Sequence, residues 1–309
     1  MRVLVTGATG YIGSRLVPTL LAQGHTVIAT ARDVSALSGF AWGDLVEQRH
    51  LDVEDTVSVH LAIRDVDAVI YLVHSMGSGE FLVRDREAAQ YVAAACEYAG
   101  VDRIVYLSGL VPHSDLSDHL RSRLEVEEIL LSATTPATVL RASMVIGGGS
   151  LSFEILRRVS DRLPVVTLPS WMDSRIQPIA LVDVLALIGA ALQGDPRNRA
   201  YDVGGDEVVS YADLLTRFAA SIGVSRPQVL VPFVPVALVG DAVATLTGVP
   251  RSTVRALIRS LSHDMVCRDS SVRADLLPDH EYLTIERAKP ARRSAAGMSR
   301  AKQSRTRPG

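Results

Sequence analysis

Cysteine, lysine and long apolar runs are all scarce in this chain of 309 residues. Its two cysteines, Cys96 and Cys267, lie far apart and form no Cys/His cluster, which argues against a disulfide framework, a structural zinc site or any other bound metal. No apolar run reaches the roughly 18 residues that a membrane helix requires. A strand pattern that starts at residue 2 leaves no room for a signal peptide. We therefore expect a cytoplasmic protein without a transmembrane segment.

Charge is distributed unevenly along the chain. Residues 287–309 contain eight basic residues and no acid, whereas the preceding residues hold 24 basic and 34 acidic side chains. Because phosphate contacts need a basic face on the fold itself, this acidic body argues against a nucleic-acid-binding protein. The tail over 287–309 is low in hydrophobic residues, so we expect it to be disordered, either as a solvated appendage or in weak contact with an anionic surface.

The first half of the chain alternates strand and helix patterns. An apolar run at Val3–Val5 leads into a glycine-rich turn, an amphipathic helix over 14–23 and a second strand over 25–30, which together form one βαβ unit. Further strands are predicted at 68–73, 103–107 and 137–141, and helices at 81–98, 120–132, 153–161, 182–192 and 211–222. This alternation predicts an α/β fold with a doubly wound parallel sheet, a Rossmann fold, over residues 1–150. A smaller mixed substrate region, interleaved with that core, is expected over 151–286.

The turn after the first strand carries three glycines at the spacing of a dinucleotide-binding fingerprint. Gly7 permits the tight turn, Gly10 lets the backbone approach a pyrophosphate, and Gly13 lets the following helix pack closely on the strand. The N–H groups at the helix start then meet the phosphate charge. The residues between the glycines that we assign to the same cofactor-binding loop are Thr9, Tyr11 and Ile12. The position of the fingerprint inside a complete βαβ unit is the context that supports this interpretation.

The end of the second strand distinguishes the two nicotinamide cofactors. Sites for NAD(H) place a carboxylate there, which accepts hydrogen bonds from the adenosine ribose. This sequence has Arg32 at that point, and a guanidinium can pair with the 2′-phosphate of NADP(H). We therefore expect NADP(H) to be preferred. NAD(H) stays the alternative, because a turned loop would present Asp33 to the ribose.

With these motifs in place, the chain resembles the atypical and extended short-chain dehydrogenase/reductases, and within them the NAD(P)H-binding, NmrA-like branch. The resemblance covers about residues 1–285, and its later matching segments are 71–77, 104–110, 119–123, 140–143 and 177–179. It implies that Asp52 and Val53 contact the adenine edge. It also implies that Leu72, Val73 and His74 pass beneath the cofactor ribose and nicotinamide, with Ser143 near the nicotinamide.

The resemblance fails at the catalytic pair. Ser108 matches the catalytic serine of the superfamily, but the Tyr-x-x-x-Lys pair is replaced by His119-x-x-x-Arg123, and no lysine occurs before Lys289. Arg123 can hold a ribose hydroxyl but is never a proton relay. His119, one helical turn earlier, is either a proton donor near neutral pH or an ordinary surface residue.

Two functions remain open at this point. One is an NADP(H)-dependent oxidoreductase that reduces a small apolar carbonyl, enone or quinone-like acceptor, since the cofactor carries the hydride chemistry. The other is a non-catalytic NADP(H)-binding sensor or assembly protein, which the missing pair favours. An apolar, substrate-sized cavity beside the cofactor would favour the enzyme.

Overall fold

The computed structural model describes residues 1–74, 81–112, 116–150, 155, 158, 166–221, 223, 228–231, 236–249, 251, 254 and 263–288. Residues 75–77 of the family-like segment, most of the helix predicted over 153–161 and the basic tail from Lys289 onward lie outside the described residues.

Thirteen strands are found in the described part of the chain. They are β1 Arg2–Val5, β2 Thr26–Ala31, β3 Glu47–His50, β4 Ala68–Tyr71, β5 Arg103–Gly109, β6 Ala137–Ala142, β7 Val145–Ile146, β8 Val166–Pro169, β9 Arg175–Ile176, β10 Ile179–Ala180, β11 Arg199–Val203, β12 Val209–Ser210 and β13 Gln228–Val231. Seven of them form one parallel sheet in the order β11-β6-β5-β4-β1-β2-β3. The Rossmann fold predicted from the sequence is therefore confirmed. Six of these strands come from the first half of the chain, and the remaining one, the edge strand β11, comes from the second half.

The described residues form eight α-helices, some of which cover both faces of this sheet. The helices are α1 Gly13–Ala22, α2 Thr56–Ala62, α3 Phe81–Ala99, α4 Asp118–Ser132, α5 Leu181–Gln193, α6 Tyr211–Ser221, α7 Val236–Thr247 and α8 Ser271–Leu276. Helices α1 and α5 pack on one face, and α2, α3 and α4 pack on the other. No helix among the described residues has the length and apolar character needed to cross a bilayer.

The apolar run of β1 explains how one short strand serves two cores. Val3 and Val5 point into the core beneath α1 and α5, whereas Leu4 points into the core beneath α2, α3 and α4. All three side chains are fully buried. A strand covered on both faces must be apolar at every position, which is the continuous pattern seen in the sequence.

The order of the strands in the sheet reverses between β1 and β4, which are parallel neighbours, and this creates the crevice in which Rossmann folds bind ligands. Thr6, directly after β1, holds the two strand ends together. Its hydroxyl donates to the Ile70 carbonyl oxygen at 3.2 Å and accepts from the Leu72 N–H at 2.8 Å. The loops that follow both strands are thereby fixed relative to each other at the mouth of the crevice.

A buried ion-pair network joins α4 to the far side of the sheet. Glu127 is 1% exposed and accepts hydrogen bonds from the Arg141 guanidinium, which also lies 3.5 Å from Asp202. Asp202 in turn accepts from the backbone N–H and the guanidinium of Arg268 at 2.8–3.0 Å. The network therefore fixes the segment around Arg268 to β11, at the edge of the sheet, and to the neighbouring β6.

Candidate cofactor and substrate site

The fingerprint turn is so tight that it admits no side chain at two of its glycines. Gly7 has a φ of 63°, which L side chains rarely adopt, and its carbonyl accepts from the Gly10 N–H at 2.9 Å. A Cβ atom at Gly13 would lie 2.4 Å from the Gly7 carbonyl oxygen and 2.8 Å from the Ala8 Cα. The start of α1 is thus pressed against the turn, and its N-terminal end lines the crevice. This arrangement fits a dinucleotide pyrophosphate.

Arg15 is a site residue that the sequence reasoning missed. Its guanidinium stacks 4.4 Å from the centre of the Tyr11 ring and donates to the carbonyl oxygens of Tyr11 at 2.9 Å and Gly148 at 3.0 Å. Burial raises the pKa of the Tyr11 phenol, although Arg15 opposes the change. The i,i+4 spacing of the tyrosine and arginine was the available signal. The contact closes one side of the crevice with residues 147–150.

At the adenosine end, Asp33 is engaged by its own loop. Its carboxylate accepts from the backbone N–H of Ser35 at 3.0 Å and from the Ser35 hydroxyl at 2.6 Å, as the cap of a short 3₁₀ helix over Val34–Gly39. The Arg32 side chain beside it is exposed and makes no ion pair with the described residues. The turned loop that would present Asp33 to a ribose is therefore not the conformation found.

Asp52 and Val53 follow β3 at the same edge of the sheet. The Asp52 carboxylate accepts from the Glu54 N–H at 3.1 Å, and the Asp52 N–H donates to the Ser58 hydroxyl at 2.9 Å. Val53 packs on the core beneath α2. Their proposed contact with adenine stays a prediction.

A cavity of about 420 Å³ opens next to the fingerprint. It brings together eleven of the residues singled out from the sequence: Gly7, Gly10, Tyr11, Ile12, Gly13, Leu72, His74, Ser108, His119, Arg123 and Ser143. Thr9, Arg32, Asp52, Val53 and Val73 do not line it. The remaining walls are largely apolar and include Leu107, Leu120, Met144, Val145, Ile176, Tyr211 and Met265. The volume lies within the range of small-molecule sites.

Ser108 is one of two residues lining this cavity, with Tyr11, whose buried side-chain oxygen lacks a normal hydrogen-bond partner among the described residues. Its side chain is 2% exposed, and its Oγ forms no hydrogen bond of normal geometry with a described residue. It lies near enough to the Tyr106 phenol to oppose the rise in the pKa of that group, which burial causes. An unsatisfied buried hydroxyl costs free energy, so it requires a ligand or another explanation.

His119 and Arg123 form a pair on one face of α4. Arg123 Nε donates to His119 Nε2 at 3.2 Å, and Arg123 Nη1 donates to the Leu107 carbonyl oxygen at 3.4 Å. Because a guanidinium cannot accept, His119 Nε2 must be the unprotonated nitrogen of a neutral imidazole. Burial, together with Arg123, lowers the pKa of His119 to about 4. This arrangement disfavours the imidazolium proton donor that the sequence suggested for His119.

His74 approaches the same pair from the end of β4. The ring centres of His74 and His119 lie 6.0 Å apart. The Arg123 guanidinium, aided by loss of hydration and by His119, lowers the pKa of His74 to about 3. Both imidazoles are thus neutral at pH 7, and the guanidinium is the cationic group that they surround.

Met265 lines the far wall of the cavity and belongs to the segment 263–268, which we call the strap. Met265 N–H donates to the Arg175 carbonyl oxygen at 2.8 Å. Its own carbonyl oxygen accepts from the Gln177 N–H at 3.1 Å and the Ser143 hydroxyl at 3.2 Å. The ion pair of Arg268 with Asp202 fixes the other end. Ser143 therefore lines the cavity while its hydroxyl holds the strap.

The fold and this crevice define a dinucleotide-binding protein of the Rossmann class. Residues 7–145, just under half of the chain, match the family described as NAD(P)H-binding. The NAD(P)H-binding resemblance drawn from the sequence is thus confirmed for this part of the chain.

Individual relatives show how diverse this family is. The chain is 28% identical over 221 residues to subunit 9 of the NADH dehydrogenase [ubiquinone] 1 alpha subcomplex from Arabidopsis thaliana, covering 68% of this chain and 55% of that protein. It is also 28% identical over 222 residues to divinyl chlorophyllide a 8-vinyl-reductase from Oryza sativa subsp. indica, covering 66% and 54%. The chain thus spans about half the length of these two relatives.

A solved structure shares the fold over nearly its whole length. The Escherichia coli NADPH-dependent quinone oxidoreductase QOR2, complexed with NADPH, superposes with a TM-score of 0.74 at 19% identity. The match covers 93% of this chain and 97% of that one.

Proposed function

We propose that this protein is an NADP(H)-dependent reductase of a small apolar carbonyl, enone or quinone-like acceptor. The observation that carries the proposal is the cavity of about 420 Å³, which adjoins the fingerprint on one side and has apolar walls on the other. The apolar walls beyond the fingerprint, at Ile176, Tyr211 and Met265, support space for an acceptor beside the cofactor. When bound, the nicotinamide supplies the hydride.

The residues of this chain take distinct roles in the proposal. Arg123 holds the cofactor ribose, in the place where relatives have a lysine, and neutral His119 orients it through the 3.2 Å hydrogen bond. Ser108 donates its buried hydroxyl to the acceptor oxygen, which supplies the partner it lacks. Since both imidazoles are neutral at pH 7 and neither is an imidazolium acid, the proton reaches the product from water. Conjugated acceptors suit this chemistry because their reduced forms need little acid assistance.

The preference for NADP(H) rests on the strand end after β2. Arg32 is exposed there without an ion pair to any described residue, and Asp33 is engaged with Ser35. A charge-assisted hydrogen bond to the 2′-phosphate contributes about 1.5–3 kcal/mol, or roughly tenfold to a hundredfold in affinity.

Some relatives support the reductase, and another supports the alternative of a non-catalytic sensor or assembly protein. A vinyl reductase and a quinone oxidoreductase both act on conjugated acceptors by their names. The NADH dehydrogenase subunit instead favours a non-catalytic or assembly role. One structural observation favours the non-catalytic alternative. The pKa of His119 is lowered, so the acid expected beside the acceptor is missing.

The two functions separate in a turnover assay. NADPH oxidation is followed with a panel of quinones, enones and aldehydes, for the natural protein and for Ser108→Ala. We expect turnover with a conjugated acceptor, and a loss of about 10- to 100-fold in kcat/KM for the variant at unchanged NADPH affinity. The matched control is Ser132→Ala, at an exposed serine of α4 outside the cavity. Tight NADPH binding without turnover of any acceptor would favour the sensor.

A further inference from the structure

Two strand ends lie side by side at the adenosine end of the site. β2 ends at Ala31 and β3 ends at His50, and these two residues are paired in register. The Nδ1 atom of His50 lies 2.9 Å from the carbonyl oxygen of Arg32. Because a carbonyl oxygen only accepts, Nδ1 carries the hydrogen, and Nε2 is the ring nitrogen left to meet a ligand. The imidazole is thus tied to the backbone of the residue that is expected to select the cofactor.

The carboxylates of Glu47 and Asp33 near this corner are both engaged by neighbouring groups. Glu47, on the same strand as His50, is paired with Arg2 at 2.8 Å and with Arg49 at 2.7 Å. Asp33 is engaged with its own loop through Ser35. Within the described ranges, neither the Arg32 guanidinium nor His50 Nε2 has a hydrogen-bond partner or ion pair. Both side chains are exposed at the edge where a Rossmann cofactor places its adenosine ribose.

We propose that His50 and Arg32 together form the site for the 2′-phosphate of NADP(H), with His50 as a second residue that determines cofactor specificity. The inference rests on the NADP(H) preference in the proposed function and adds a residue that the fingerprint does not contain. In its imidazolium form the ring donates from Nδ1 to the Arg32 carbonyl oxygen and from Nε2 to a phosphate oxygen, the second as a charge-assisted hydrogen bond. Two donors at the ends of neighbouring strands would bind the 2′-phosphate more selectively than one flexible arginine does.

The test measures cofactor binding rather than turnover. The full chain is titrated with NADPH and with NADH by calorimetry, for the natural protein and for His50→Gln, Arg32→Gln and His60→Gln. Glutamine at position 50 can still donate to the Arg32 carbonyl oxygen but cannot carry a charge. His60 is the matched control, because it is exposed on α2 and contacts the Tyr98 ring instead.

We expect His50→Gln to weaken NADPH binding about tenfold while the NADH affinity changes less than twofold. Adenosine 2′-monophosphate, which has no nicotinamide, should lose affinity to the same extent, and adenosine 5′-monophosphate should not. His60→Gln should change neither cofactor.

Other outcomes overturn the assignment in distinguishable ways. If Arg32→Gln weakens NADPH binding but His50→Gln does not, the phosphate site belongs to Arg32 alone and the proposed function stands. Equal losses for NADPH and NADH in His50→Gln would mean that the histidine supports the strand end and not the phosphate. If neither variant changes the NADPH affinity, the NADP(H) preference in the proposed function fails as well.

Discussion

Replacing Gly13 by alanine should damage both the fold and the cofactor site. The added Cβ would lie 2.4 Å from the Gly7 carbonyl oxygen and 2.8 Å from the Ala8 Cα. Both neighbours are backbone atoms, so neither can rotate away, and α1 must shift outward from the turn. Forced overpacking of this kind costs about 1–3 kcal/mol of the free energy of unfolding. The shift also moves the helix start whose N–H groups are expected to bind the pyrophosphate.

Urea unfolding and NADPH titration measure the two effects of Gly13→Ala separately. The matched control is Gly39→Ala, because a Cβ there would meet no heavy atom within 4 Å. We expect the control to be neutral or slightly stabilising, since alanine restricts the unfolded chain. We expect Gly13→Ala to lower the stability and to weaken NADPH binding more than tenfold. A Gly13→Ala protein with the stability and NADPH affinity of the natural chain would refute the close-packing argument.

Two further predictions concern charged and titratable groups. The pKa of His119 is lowered to about 4 in the folded chain. Between about pH 6.5 and pH 4, His119 is therefore protonated in the unfolded chain but neutral in the folded chain. The free energy of unfolding falls as the pH falls through this window, because protons bind the unfolded chain preferentially. His119→Gln should therefore lose less of its free energy of unfolding between pH 7 and pH 4.5 than the natural protein, and equal losses would contradict the buried neutral imidazole. Glu127→Gln, which leaves the Arg141 guanidinium with only the more distant Asp202 carboxylate, should lower the free energy of unfolding by about 3 kcal/mol. In the same urea experiment Glu125→Gln, at an exposed ion pair with Arg86, should cause no measurable change, and similar effects for both variants would show that burial does not govern the cost.

Local patterns explain why the cofactor half of the site was predictable. The glycine spacing requires no knowledge of distant residues, because the turn, the helix start and the strand lie within the same short segment. The assignments of Gly7, Gly10, Tyr11, Ile12 and Gly13 to one loop agree with the cavity that they line. Their contacts with the cofactor itself remain predictions.

The substrate half depends on contacts between residues distant in sequence, which no local pattern encodes. Ser143 was placed near the nicotinamide from the resemblance, but its bond to the Met265 carbonyl oxygen joins positions separated by 122 residues. The i,i+4 spacing placed His119 and Arg123 on one helix face. Which of the two donates the hydrogen bond follows only from their contact in the structure. The preference of Asp33 for Ser35 was likewise one of two loop geometries that the sequence allowed.

The cavity has two walls that come from different parts of the chain. The cofactor wall comes from residues 7–145, the part of the chain that matches the NAD(P)H-binding family, whereas Ile176, Tyr211 and Met265 lie beyond it. Substitutions in these later segments can reshape the acceptor side while leaving the glycine turn untouched. Under the proposed function, such a chain can diverge toward new acceptors under selection and retain the same cofactor, as expected when one superfold hosts many chemistries.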